Sequence, residues 1–349
     1  MSRIESIATA LPPNVIPQEF AKAAFTAMFS GHPEVSRLAE LFDRCGVEQR
    51  HFSFPPDYYL ADKSFDERNR DYIAGARELA EKAARQCLRE AGVEPERVDH
   101  LIVVTTTGLA TPSLDALLVP RLGLRPDVRR WPLFGLGCAG GAGALVRAEE
   151  ILRGGTDGLA LVISVELCGQ SFTRRANDPV DAVGGSLFGD GAVALLLSSS
   201  EAPNGGPSIV ARRSVLFENS QEIMGWRFTS DGMRLVLSRE ITELLKRRFR
   251  PVVQDFLASA GMTLRDITYW VLHPGGRRIV EAYQQALDCP AETLAWARNS
   301  LARVGNLSSA SVLFVLADVF HEARPRRGEK ALVAAPGPGF GMEMLVLEW

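Results

Sequence analysis

Cysteine is scarce in this chain and shows no pairing: five residues, at positions 45, 87, 138, 168 and 289, are scattered without a CxxC spacing. An odd, dispersed set argues against both a disulfide framework and a structural zinc site. Charge of one sign is lacking too, and a formal net charge of −3 gives no support for a nucleic-acid-binding surface. No apolar run approaches the roughly 20 residues that a membrane span requires. The opening residues hold no expected secretory signal, because their short apolar stretch is broken by Pro12 and Pro13. The expected compartment is therefore cytoplasmic. What is present is ordinary for a globular protein with a large core: 349 residues, 46% hydrophobic and 23% charged. That length holds one large domain or two fused ones.

Glycine is concentrated near the middle. Residues 134–145 read Phe-Gly-Leu-Gly-Cys-Ala-Gly-Gly-Ala-Gly-Ala-Leu, and a helical pattern continues through Ala148, Ile151 and Leu152. Glycines let backbone approach a neighbour or a ligand closely. A cysteine in a helix's first turn meets unpaired N–H groups and the positive end of the dipole, both of which favour the thiolate. Cys138 is thus a candidate nucleophile. The segment Gly135-Leu-Gly137-Cys-Ala-Gly140 also has a dinucleotide-fingerprint spacing. Pro132 interrupts the residues before it and Asp157 lies in a turn, so the cofactor reading is the weaker one. A buried cysteine in a tightly packed glycine helix remains an even alternative on this stretch alone.

Periodicity predicts a short strand at 4–8, a helix from about 17, a second over 33–45 and a long amphipathic one over 71–91, stopped by Gly92. Arg37 and Arg44, seven apart, share one helix face. Buried strands are expected at 98–105, 159–165 and 193–197, with a helix at 113–122. Only 198–207 has linker composition, which divides the chain into halves 1–203 and 204–349. The halves read alike. Leu88-Arg-Glu-Ala-Gly before the strand at 98–105 is matched by Leu257-Ala-Ser-Ala-Gly before Trp270-Val-Leu-His273. Gly137-Cys138 is matched by Gly305-Asn306, and Phe188-Gly-Asp-Gly191 by Gly337-Pro-Gly-Phe-Gly341. Three similarities in one order indicate an internal duplication. Two helix starts related by a pseudo-twofold axis, at Cys138 and Asn306, can converge on one site.

Of the five histidines, His273 alone follows an apolar strand and opens a Pro-Gly-Gly turn, the end at which parallel α/β sheets hold ligands. His100 starts its strand, His321 is flanked by Glu322 and Arg324, and nothing recommends His32 or His51. Asn306 has a competing role as a helix cap. A Cys–His–Asn set suits a thiolate made beside an imidazole, with two donors for an oxyanion, which is acyl-transfer chemistry. A cysteine protease uses the same residue types, but nothing in that class requires the duplicated pattern.

Gly137-Cys-Ala-Gly-Gly141, Leu187-Phe-Gly-Asp-Gly191, Val271-Leu-His-Pro-Gly-Gly276, Gly305-Asn-Leu-Ser-Ser-Ala310 and Gly337-Pro-Gly339 occur in this order over nearly the whole chain. Together they resemble the thiolase-fold condensing enzymes and, among them, the type III polyketide synthases related to chalcone and stilbene synthases. The His-Pro-Gly-Gly segment sets the chain apart from the β-ketoacyl-carrier-protein synthases of fatty acid synthesis, the neighbouring alternative; a catalytically silent scaffold is a third. The resemblance implies a five-layered αβαβα fold, a homodimer, and no metal or prosthetic group. It implies that Cys138 takes an acyl group from acyl-CoA and that His273 holds it as thiolate. His273 and Asn306 would bind malonyl-CoA during decarboxylation. Phe188 would stand at the cavity junction and Leu235 at a gate position that is usually Phe. Thr107, Cys168, Ser171, Ser308, Gly337, Pro338 and Gly339 would serve the substrate side, and Thr111 would project into a partner's cavity. Arg37 and Arg44 match basic positions of a CoA-binding helix, with Glu40 between them where the family is often basic. Asn219-Ser and Met224-Gly-Trp226 resemble bacterial members that make alkylpyrones and alkylresorcinols, implying a medium- or long-chain fatty acyl starter.

Overall fold

The computed structural model describes residues 2–154, 158–171, 179–199, 206–229 and 232–349. The first half runs β1 (Arg3–Ala10), β2 (Asn14–Pro17), α1 (Gln18–Met28), α2 (Val35–Arg44), β3 (Gln49–Phe52), α3 (Pro56–Leu60) and α4 (Phe65–Ala91). It continues through β4 (His100–Val104), α5 (Leu114–Leu122), β5 (Arg129–Leu133), α6 (Gly140–Gly154), β6 (Leu159–Leu167), α7 (Pro179–Leu187) and β7 (Asp190–Ser198). The second half opens with β8 (Ser208–Leu216), β9 (Met224–Thr229), β10 (Gly232–Leu237), α8 (Glu240–Ser259) and β11 (Tyr269–Leu272). It closes with α9 (Arg277–Leu287), α10 (Ala295–Val304), α11 (Ser311–Asp318), β12 (Lys330–Gly337) and β13 (Gly341–Glu348). The division expected at 203/204 lies outside the described residues.

Two expectations shift for local reasons. Helix α4 begins at Phe65 rather than Asp71, because Ser64 and Glu67 form a reciprocal capping box that satisfies the first-turn N–H groups. Pro132 does not break a strand: β5 pairs with β4 at one end of the sheet, where a missing ladder donor is tolerated.

Nine strands form one sheet in the order β11-β12-β13-β8-β1-β7-β6-β4-β5. Outward from its centre the two directions repeat each other. Strands β1, β7, β6 and β4 pair antiparallel, antiparallel, parallel, and so do β8, β13, β12 and β11. The halves meet at one register pair, Arg3 with Ser208. This is the duplication read from sequence, now seen as strand order. Its matched glycines are both left-handed helix stops, Gly92 with φ 63° and Gly261 with φ 71°.

Helices α6 and α11 share one buried core with a face of each half-sheet, through residues such as Ile102, Leu145, Val193, Leu313, Val333 and Leu345. The opposite faces are covered by α4 and α5 in one half and by α8 and α9 in the other. The fold is the thiolase-like stack of helix, sheet, helix, sheet, helix. Helix α11 is buried all round through Ala317, where Val, Leu and Ala dominate; α6 is buried all round only over Gly140–Val146, and its later turns carry Arg147, Glu150 and Arg153 on a polar side.

Candidate active site

Strand β5 ends at Leu133, and the chain turns through a 3-10 segment, Gly137–Ala139, into α6. Gly137 sits at φ +49°, and a Cβ there would lie 2.4 Å from the Pro338 ring. Gly141 is tighter: a Cβ would lie 2.2 Å from the Ser309 carbonyl oxygen at the start of the α11 segment. The glycine run therefore serves close backbone approach between the two central helix starts, not a dinucleotide. Across that contact the Cys138 Sγ lies 3.9 Å from the Ser308 Oγ of the other half. The two helix starts do converge.

His273 follows β11, and its N–H donates to Ala334 in β12 at 3.0 Å. Its side chain is buried, and Nδ1 has no partner among the described residues. Asn306 is fixed twice through Oδ1, which accepts from the Ser308 N–H at 2.8 Å and from the Ser311 hydroxyl at 3.2 Å. That helix-start role orients the amide. Its Nδ2 donates to the Gly275 carbonyl at 3.3 Å beside the His-Pro-Gly-Gly turn, and the amide has a second N–H to offer. Phe188 and Asn306 form a parallel bridge, with Asn306 N–H donating to Leu187 at 2.8 Å and Gly189 N–H to Asn306 at 3.1 Å. Cys138, His273, Asn306, Ser308, Phe188, Leu235 and Pro338 line one cavity.

Burial dominates the electrostatics. It pushes the Cys138 thiol up to about 12 and the His273 imidazole down to about 3. Each penalty falls on one charged form alone. A thiolate and an imidazolium formed together carry no net charge, and such pairing makes a buried thiol nucleophilic at neutral pH.

A second polar cluster escaped the sequence reading. Glu166 is fully buried in β6 and accepts from the Thr106 N–H and hydroxyl, both at 3.0 Å, from Thr107 at 2.7 Å, and from the Ser309 hydroxyl. Burial raises its pKa, and these donors oppose that rise. The Thr106 hydroxyl lies 3.2 Å from Ser308, so a continuous chain runs from the carboxylate to the hydroxyl beside Cys138. The one sequence signal was an acid inside the apolar strand Val165-Glu166-Leu167. Thr107, expected in the substrate cavity, is turned away from Cys138: it donates to Glu166, accepts from the Leu167 N–H at 3.0 Å, and borders a separate small pocket. Arg50 was missed as well. Fully buried, it donates to the carbonyls of Gly185 at 2.5 Å and Phe188 at 3.2 Å, pinning the turn that carries Phe188.

Residues 2–201 match the family described as chalcone and stilbene synthases, N-terminal domain, and residues 208–349 match its C-terminal domain. The chain belongs to the chalcone and stilbene synthase family. It is 37% identical over 354 residues to the 1,3,6,8-tetrahydroxynaphthalene synthase of Streptomyces peucetius subsp. caesius, covering 99% of this chain and 93% of that one. It is 28% identical over 360 residues to the alpha-pyrone synthesis polyketide synthase-like protein of Mycobacterium tuberculosis strain H37Rv, covering 99% and 90%. The crystal structure of the 1,3,6,8-tetrahydroxynaphthalene synthase of Streptomyces coelicolor, a bacterial type III polyketide synthase, superposes with a TM-score of 0.95 at 25% identity, over 99% of both chains. CsyB complexed with CoA-SH superposes with a TM-score of 0.91 at 25% identity, over 100% of both. The protein is an acyltransferase of the type III polyketide synthase class.

In this synthase the remaining expected residues divide by place. Arg37 and Arg44 reach the cavity mouth, but each is paired within its own helix, with Glu34 at 2.8 Å and Glu40 at 2.9 Å. Arg239, Arg277 and Arg278 line the same mouth, and sequence reasoning passed them over because they come from the starts of two helices, α8 and α9, that are far apart in the chain. Cys168 does not face Cys138's cavity. It lines an adjoining, mostly apolar cavity together with Ala21, Ala24, Phe25 and Phe52. Gly337 acts by close approach, since a Cβ would lie 2.4 Å from the Leu136 carbonyl oxygen, and Gly339 faces Leu216. Thr111 is exposed and borders none of these cavities. The Ser171 side chain lies outside the described residues.

Proposed function

We propose that the enzyme condenses malonyl-CoA onto a medium- or long-chain fatty acyl-CoA starter held on Cys138 and releases an alkylpyrone or alkylresorcinol-type product. The observation that carries the fatty starter is the apolar cavity beyond Phe188 and Leu235, which share its wall with the reaction cavity. Its lining includes Phe20 and Leu60, both exposed, so apolar side chains extend from the Phe188 wall to the surface. Each methylene buried along it contributes about 0.8 kcal/mol.

In this reading the Cys138 thiolate attacks the starter's thioester carbonyl, a new C–S bond forms, and coenzyme A leaves as its thiol. Malonyl-CoA then loses carbon dioxide, and the electron pair of the broken C–C bond becomes an enolate. The proton that left with coenzyme A came from His273, so the N–H of the neutral imidazole and the free N–H of Asn306 are the donors for its oxygen. The enolate carbon attacks the Cys138 acyl carbon, the C–S bond breaks, and the thiolate is regenerated. The longer chain, now a CoA thioester, can reload. Side chains supply base, donors and nucleophile, so the chemistry calls on no metal or prosthetic group. We place this chemistry in the cytoplasm and the enzyme in a homodimer, with Thr111 offered to the partner's cavity.

A starter panel from acetyl- to stearoyl-CoA with malonyl-CoA, read by mass spectrometry beside Cys138→Ala, tests the reading. Pyrone or resorcinol masses should rise with starter length and vanish in the variant. Turnover of hexanoyl- and palmitoyl-CoA no better than that of a phenylpropanoid-CoA would refute the fatty starter.

A further inference from the structure

The C-terminal end of α7 is closed by donors from distant parts of the chain. The Gly185 carbonyl accepts from Arg50 at 2.5 Å, and the Ser186 carbonyl from the Gln18 amide at 2.8 Å. The Leu187 carbonyl accepts from the Asn306 N–H at 2.8 Å, and the Phe188 carbonyl from Arg50 again at 3.2 Å. Carbonyls at a buried helix end need such partners. Arg50 is a fully buried cation, and no carboxylate pairs with it among the described residues. The partial negative charge of the helix end takes that place, with the Phe42 and Phe52 rings 6.0 and 5.6 Å from the guanidinium carbon. Its stem lies against the bridge between Phe188 and Asn306. A Cβ on Gly305 would lie 2.8 Å from the Arg50 Cγ, and one on Gly189 would lie 3.4 Å from its Cβ.

We propose that Arg50 is a positioning residue for the decarboxylating half of the site: its cap on α7 fixes the backbone from which Asn306 presents its amide. The inference rests on the condensation reading, in which that amide is a donor to the malonyl-derived enolate. Two paths carry the constraint. One runs from the guanidinium through the Phe188 carbonyl to the bridge, where the Gly189 N–H donates to the Asn306 carbonyl at 3.1 Å. The other is the packing of the Arg50 stem on Gly305, which at φ +74° turns the chain into Asn306. Neither path includes Cys138, whose place is set by the close approach of α6 to the Ser309 backbone. Loss of the guanidinium therefore loosens one half of the site and leaves the other where it is.

Two measurements decide it. Carbon dioxide release from malonyl-CoA with no starter present reads the Asn306 half and does not call on the apolar cavity that Arg50 also lines. Alkylation of Cys138 by iodoacetamide reads the thiol half. In Arg50→Met, which keeps an apolar stem, kcat for decarboxylation should fall at least about tenfold, since moving a catalytic group by about 1 Å can cost about 10²-fold. The alkylation rate should stay close to that of wild type. Arg50→Lys, which keeps the cation on a shorter reach, should fall between the two in decarboxylation. Decarboxylation close to wild type in Arg50→Met, or both rates falling by the same factor, overturns the positioning role. If the methionine variant does not fold, the lysine variant carries the same comparison. The second measurement needs no turnover. In the variant, the N–H groups of Gly189 and Asn306 should exchange with deuterium at least about tenfold faster, while those of residues 140–146 exchange as in wild type. Equal exchange at Gly189 and Asn306 in both proteins overturns the proposal. A wild type that releases no carbon dioxide from malonyl-CoA, with the exchange difference intact, would refute the condensation reading and leave the positioning standing.

Discussion

At the nucleophile, burial opposes the charge that the chemistry needs. With the thiol pushed up to about 12, neutral-pH reactivity depends on a partner that takes the proton. Replacing His273 by Gln should leave Cys138 nearly unreactive to iodoacetamide at pH 7. Its rate should then rise about tenfold per pH unit up to pH 9, as expected for a thiol far below its pKa. Wild type should be reactive at neutral pH with a much flatter profile; a His273→Gln variant as reactive as wild type would contradict the pairing. Asn306→Ala should slow malonyl-CoA decarboxylation by about 10²-fold or more, the usual cost of an oxyanion donor. Thiol alkylation, which needs no such donor, should change little. That Cys138, His273 and Asn306 meet on one cavity was legible in sequence because each stands at an element's end within two residues of a glycine. Thr106, Glu166 and Arg50 were not. Their partners are set by tertiary placement, and apart from an acid standing inside the apolar strand β6 no local pattern announces them.

Among the elements, the contact between α6 and α11 is the least forgiving. Gly141→Ala would drive a methyl group into the Ser309 carbonyl, and backbone cannot swing aside. Overpacking of this kind costs about 1–3 kcal/mol or more. The variant should melt several degrees lower and lose activity as Cys138 and Ser308 separate, which thermal denaturation and turnover would show together. At the mouth, Arg239 and Arg278 have no carboxylate partner among the described ion pairs, whereas Arg37 and Arg44 do. The double change Arg239→Ala, Arg278→Ala should raise KM for malonyl-CoA more than Arg37→Ala does, leave kcat nearly unchanged, and lose its effect at high salt. A larger effect at Arg37 would return the phosphates to α2. Long helices and buried strands were read correctly from periodicity. The β9–β10 hairpin was not, because most of its residues are only half buried and neither face repeats cleanly.

For the whole molecule, the central core belongs to neither half. Its members come from both sides of the chain, from Ile4 to Leu347, around α11 and the apolar first turns of α6. A fragment of residues 1–203 should therefore expose the apolar wall of α6 and aggregate or stay unfolded, as circular dichroism and size-exclusion chromatography would report. Independent folding of that fragment would contradict a shared core. The duplication was visible in sequence through paired glycines and strand ends. The mirror order of the strands was not, since hydrogen-bond partners separated by more than a hundred residues leave no trace in periodicity.

The separateness of the β9–β10 ribbon bears on how such an enzyme changes over generations. Leu235 and Trp226 hang on two strands that share no ladder with the nine-stranded sheet. Substitutions there reshape the room offered to substrate while leaving the main sheet's hydrogen bonds and the central helices untouched. The ribbon is where lineages built on this scaffold can drift toward new products at little risk to folding.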